Sequence, residues 1–154
     1  MGLFKKKENK EAIEITLFHV EGLPIAEKTA CKISVKPTAL KIDGAGSEFN
    51  LNLSQITVVA AKTDVEIANI TSSSAVKGLA GGLMLGPVGA IIGSRATNKE
   101  KRTYTPYLII NYVSSNNELS ALLFDGSGTG LAINKFVDKI RPLLPNNSNQ
   151  TFQL

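Results

Sequence analysis

The chain is poor in the side chains that most enzyme and metal chemistry needs. Its 154 residues hold one cysteine, one histidine and no tryptophan. A single thiol, Cys31, excludes an internal disulfide framework and any multi-cysteine zinc or iron–sulfur centre. One imidazole, His19, cannot build a multi-histidine metal site and lends no support to a Ser-His-Asp enzyme. Six phenylalanines and three tyrosines are few for an aromatic-rich reader of nucleic acid, so nucleic acid is not an expected partner. Asp43, Asp64, Glu66, Asp125 and Asp138 are scattered, and no spacing marks a catalytic carboxylate pair. The expectation is a chain with no catalytic residues, no metal and no cofactor.

The opening Met1–Lys7 lacks the apolar stretch, about 7–15 residues, of a secretory signal. Lys6 stands where a myristoylation signal prefers Ser or Thr. A cytoplasmic location is expected, with the inner membrane face as a peripheral site. The net charge of +4 is unevenly spread. Within residues 1–10, Lys5, Lys6, Lys7 and Lys10 stand against Glu8 alone, and within 95–102, Arg95, Lys99, Lys101 and Arg102 stand against Glu100 alone. The rest of the chain is slightly acidic. Lys5, Lys6, Lys7, Arg95, Lys99, Lys101 and Arg102 are therefore candidates for contact with an anionic surface. The plainer alternative is that a charged tail and a charged loop keep the protein in solution.

Beyond the basic start, period-2 alternation dominates the chain. Ile13, Ile15 and Leu17 alternate with polar residues, as do Cys31, Ile33 and Val35, then Leu40 and Ile42, then Phe49, Leu51 and Leu53. Pro37-Thr38 and Asp43-Gly44-Ala45-Gly46 read as turns. Ile56, Val58, Val65 and Ile67 predict one or two more strands. Tyr107–Val113 is apolar on both faces, as a central strand is, and Ser114–Asn117 turns it into Glu118–Phe124. The period then lengthens. Leu131, Ile133, Phe136, Val137, Ile140 and Leu144 fall near 3.6-residue spacing, which predicts an amphipathic helix over about 129–141 that stops near Pro142. Residues 1–11 and 146–154 read as flexible tails around a domain at 12–145.

About seven strands followed by one closing helix predict a mainly β (α+β) chain. That layout resembles the pleckstrin-homology-like domain of many small bacterial proteins. The resemblance rests on the hairpin Ala30–Asp43, the strand Phe49–Val59, the late hairpin Tyr107–Phe124 and the helix Thr129–Arg141. It implies a curved antiparallel sheet or barrel capped by the C-terminal helix. Only Lys32, Lys36 and Lys41 lie in the first hairpin, so the basic phosphoinositide-binding pattern of the eukaryotic domains does not carry over.

Gly78–Gly93 interrupts this pattern with sixteen residues free of charge, including six of the thirteen glycines. Gly78, Gly82 and Gly86 recur every four residues, and Gly89 and Gly93 repeat the step. On a helix they form one narrow face, with Leu83, Met84, Leu85, Val88, Ile91 and Ile92 elsewhere, and the segment resembles the glycine zippers of small membrane-associated bacterial proteins. Each interior Gly costs about 1 kcal/mol against Ala, so such a helix needs close packing. One straight helix here is roughly 24 Å long against the roughly 30 Å of a bilayer core. Pro87 breaks it, predicting a helical hairpin over about 74–97 whose arms, about 74–85 and 88–97, are too short to span. The expected role is self-association, or contact with a membrane or protein partner, in a non-enzymatic binding and assembly module, with the opening and layout looking like a bacterial or prophage accessory protein. The rival is a small nucleotide- or phosphate-handling enzyme built on the Gly126–Gly130 turn, although no Lys follows in the P-loop position.

Overall fold

The computed structural model describes residues 12–72 and 104–144. Seven strands appear in it: β1 Glu14–Glu21, β2 Ala30–Val35, β3 Ala39–Gly44, β4 Ser47–Asn52, β5 Ile56–Thr63, β6 Pro106–Val113 and β7 Leu119–Asp125. They form one sheet in the order β4-β3-β2-β1-β7-β6-β5, with every neighbouring pair antiparallel. Helix α1, Asp64–Ser72, follows β5, and helix α2, Ala132–Ile140, follows β7.

The inward residues of every strand enter one core. Leu51 of β4 and Ile56 and Val59 of β5 belong to the same apolar cluster, although their strands lie at opposite ends of the sheet order. A three-residue 3-10 turn, Leu53–Gln55, is all that joins those two strands. The sheet must therefore fold over on itself. It is nevertheless not a closed barrel, because β4 and β5 do not pair. The corner is held by a side chain: Gln55 accepts from the Asn52 N–H through Oε1 at 3.2 Å and donates through Nε2 to the Val113 carbonyl at 2.9 Å.

Helix α2 supplies Ile133, Phe136, Val137 and Ile140 to this core. It begins three residues later than the periodicity suggests, and Leu131 is 72% exposed rather than on the packed stripe. Neither Ser127 nor Thr129 caps it: Leu131 holds the cap position without a side-chain bond. Beyond Ile140 one 3-10 turn, Arg141–Leu143, carries Pro142, and Leu144 is buried.

Val65 and Ile67 are the main departure from expectation. They lie on α1, not on a strand. Thr63 and Glu66 make a reciprocal capping box, with Glu66 N–H donating to Thr63 Oγ1 at 3.1 Å and Thr63 N–H to Glu66 Oε1 at 2.8 Å. Ile67 of α1 packs with Ala60, Ile109 and Leu123 on the outer face of β5–β7. This second, smaller core accounts for β6 being apolar on both faces. The glycine-rich hairpin expected over about 74–97 lies outside the described residues.

Replacing Phe136 by Ala should cost about 3–5 kcal/mol, measured by urea unfolding, because its ring is 3% exposed among core side chains. A loss under about 1 kcal/mol would show that the helix is peripheral to the core.

Candidate functional site

Two places in the described fold carry functional geometry. The first is the root of the long β5–β6 connection. The ladder between these strands ends on the pair Thr63↔Pro106, and one residue further the Asp64 N–H donates to the Thr105 carbonyl at 2.9 Å. The chain therefore leaves the sheet and returns to it at one point. Asp64, buried at this root, accepts from the Val65 N–H at 2.9 Å. Two acidic residues, Asp64 and Glu66, in the first turn of α1 match the positive end of the helix dipole.

The second is a groove of about 600 Å³ beside β4. Four consecutive β4 residues, Glu48–Leu51, form one wall, so the groove follows the edge of the strand rather than one face. Gln55, Tyr112, Ser114, Ser115, Leu122 and Ile42 line it too, with Gly22, Leu23 and Pro24 of the β1–β2 loop. Glu48 is the charged residue of the lining. Its hydrogen bond from Asn50, together with Lys41 at 3.6 Å, holds its carboxyl below the usual carboxylate range.

His19 shapes the loop wall. It is 3% exposed. The Leu23 N–H donates to Nε2 at 3.1 Å, so that nitrogen is an acceptor. Nδ1 then carries the proton and donates to the Ala26 carbonyl at 3.2 Å. The ring sits edge-on to Phe124, with centroids 6.1 Å apart. Gly22, at φ +115°, makes the adjoining bend, where a Cβ would meet the Ala121 carbonyl oxygen at 2.6 Å. The result is a neutral imidazole used to fix a loop, with both nitrogens occupied.

Cys31 is buried, as its inward strand position predicts, and burial pushes its thiol up from the ordinary value. Its Sγ lies where a Cβ on Gly44 would approach to 2.7 Å, so the cross-strand glycine makes room for the sulfur. Tyr112 lines the groove, and Tyr104 is exposed.

Three amides of the Asp125–Gly130 turn are bonded within the protein. Gly126 N–H donates to the Pro106 carbonyl at 2.8 Å, Ser127 N–H to Asp125 Oδ1 at 2.7 Å and Thr129 N–H to the Gly126 carbonyl at 3.0 Å. The Asp125 carboxylate takes both the N–H and the hydroxyl of Ser127. The candidate contact residues Gly78, Gly82, Leu83, Met84, Leu85, Gly86, Val88, Gly89, Ile91, Ile92 and Gly93 lie outside the described residues, as do Lys5, Lys6, Lys7, Arg95, Lys99, Lys101 and Arg102. Among the described residues, no group of three or more His, Cys, Asp or Glu side chains could hold a metal ion, and no helix is long and apolar enough to cross a membrane.

His19→Leu keeps the bulk but leaves the Leu23 N–H and the Ala26 carbonyl without the ring. Chemical denaturation should show a loss of about 1–3 kcal/mol, and the Leu23 amide should exchange faster with solvent. Unchanged Leu23 exchange would mean that the ring does not hold the loop. No protein-family model and no curated protein sequence matches the chain.

Proposed function

We propose that this chain is a non-enzymatic binding and assembly module of pleckstrin-homology-like type, which self-associates through its glycine-rich segment. The observation that carries the reading is the closed root of the β5–β6 connection. With Asp64 N–H bonded to the Thr105 carbonyl, the sheet meets its own hydrogen-bonding needs across the gap. That closed root supports reading the β5–β6 connection as an insertion with a role of its own. The strand order, with β1 between β2 and β7 and a helix after the last strand, is consistent with the pleckstrin-homology-like resemblance. The internal use of the Gly126, Ser127 and Thr129 amides weighs against the phosphate-handling alternative.

Residues 75–102 replaced by a short Gly-Ser linker should leave a folded protein of unchanged core stability that has lost self-association. Light scattering at tens of micromolar reads the difference, and Gly82→Leu with Gly86→Leu should weaken assembly in the full chain. A native chain that is monomeric under these conditions defeats the proposal.

Contact with an anionic membrane is the second reading, favoured by one observation. Lys36, Lys135 and Lys139 line two adjoining clefts with Ala12 and Ile13, where the basic opening segment joins the fold. Each basic residue close to an anionic surface contributes about 1 kcal/mol, reduced by salt. The chain should sediment with anionic but not neutral vesicles at low salt, and removing the charges of Arg95, Lys99, Lys101 and Arg102 should release it. Equal recovery in the supernatant with both vesicle types eliminates this reading and leaves assembly standing.

A further inference from the structure

Beside the C-terminal end of α2 lies a cleft of about 640 Å³, within the roughly 300–1,000 Å³ range of small-molecule sites. Ile13, Val35, Pro37 and Leu143 line it with apolar surface, and Lys36 and Lys139 bring charge. No Asp or Glu is among the lining residues. The Val35 N–H donates to the Ile13 carbonyl at 2.9 Å, so both side chains stand on paired backbone. Each packs on the main core while only partly buried, and Leu143 is 45% exposed. Two smaller clefts continue the first. One, of about 180 Å³, shares Ala12, Ile13 and Lys139 with it and adds Lys135. Glu14 also lines that cleft, with its carboxylate paired to Lys32 at 3.5 Å. The other, of about 340 Å³, shares Pro37 and Leu143 and adds Thr38, Asn52, Leu53 and Ser54, none of them charged. The furrow is thus cationic toward one end and uncharged toward the other.

The lysines have no counter-ion in the described fold. Ion pairs among the described residues join Glu14 to Lys32 and Lys41 to Asp43 and Glu48, and none uses Lys36, Lys135 or Lys139. Lys139 lies in the last turn of α2, where the helix dipole favours a cation. Lys36 follows the end of β2, at no helix terminus. Like charges on one apolar cleft raise its energy, and a carboxylate beside both lowers it. We infer that the furrow binds one molecule of a single-chain anionic amphiphile, a fatty-acid carboxylate. Its head lies beside Lys36 and Lys139, and its acyl chain covers Ile13, Val35 and Leu143. Charge and shape together select this occupant: two cations with no lining carboxylate call for an anionic head, and the apolar recess beside them calls for a chain. The inference goes beyond the two readings above, since it needs neither self-association nor a bilayer.

Decanoate, kept below its aggregation concentration, is the probe. It is titrated into the full chain and followed through the methyl resonances of Ile13, Val35 and Leu143, which should shift saturably. Octanoate, two CH₂ groups shorter, should bind about threefold or more weakly. Lys36→Gln with Lys139→Gln should weaken decanoate about fivefold or more, with the urea midpoint unchanged. Decyltrimethylammonium, which has the same chain on a cationic head, should leave the three residues unmoved. No saturable shift with decanoate overturns the inference. Equal binding of the cationic amphiphile overturns it too, since apolar contact alone then suffices, and equal binding of acetate does so by showing an anion site without a chain. A response to anionic vesicles but not to dissolved decanoate also overturns it and leaves the membrane reading standing. Decanoate binding by a chain that is monomeric and ignores vesicles supports the inference while both earlier readings fail.

Discussion

Four side chains of α2 share one core with strands from both ends of the sheet order, and the curvature of the fold depends on that shared core. Ile133, Phe136, Val137 and Ile140 share one core with Leu51 of β4 and Ile56 of β5. A flat sheet of this order would hold those strands far apart. The short turn Leu53–Gln55 forbids the flat form, and the helix fills the space that folding over creates. Burial of the apolar stripe and curvature of the sheet are thus one event. Removing the stripe takes away the reason for the bend.

The outer face of β5–β7 follows a second rule. It is covered by α1, whose Ile67 reaches Ala60, Ile109 and Leu123. The helix is set in place by its own first turn, through Thr63 and Glu66, and by the bond from Asp64 to Thr105. The same few residues terminate a strand, start a helix and seal the base of a long connection. Both faces of β6 are packed, Leu108 and Ile110 in the main core and Ile109 in the smaller one.

The sequence made the strands legible because most have one wet and one buried face. Leu40 and Ile42 or Phe49 and Leu51 need no tertiary knowledge to be placed. The C-terminal helix was equally plain, since its four buried positions follow the helical period. Helix α1 was not, because Val65 and Ile67 are two apart and imitate a strand. The signal that separates the two possibilities was present in Thr63-Asp64-Val65-Glu66, a capping-box pattern. The role of His19 was illegible for a different reason: a ring whose partners are backbone atoms of Leu23 and Ala26 leaves no trace in residue types. The groove along β4 was illegible in principle. It joins β4 to Tyr112 and Leu122, and only the folding over of the sheet brings those elements together.

The pairing of β1 with β7 sets the order in which the molecule can be completed during synthesis. Phe18 lies opposite Asp125, so an early strand waits for a late one. The meander β1–β4 pairs strands that are consecutive in the chain, so all its partners have emerged once β4 has. One edge of β1 then stays open until β7 emerges. Residues 73–103 lengthen that interval by roughly 2–6 s at about 5–20 residues per second. Throughout it the nascent chain exposes a strand edge together with an unfilled apolar face. The length of the β5–β6 connection is thus a timing parameter for biogenesis as well as a feature of the finished fold.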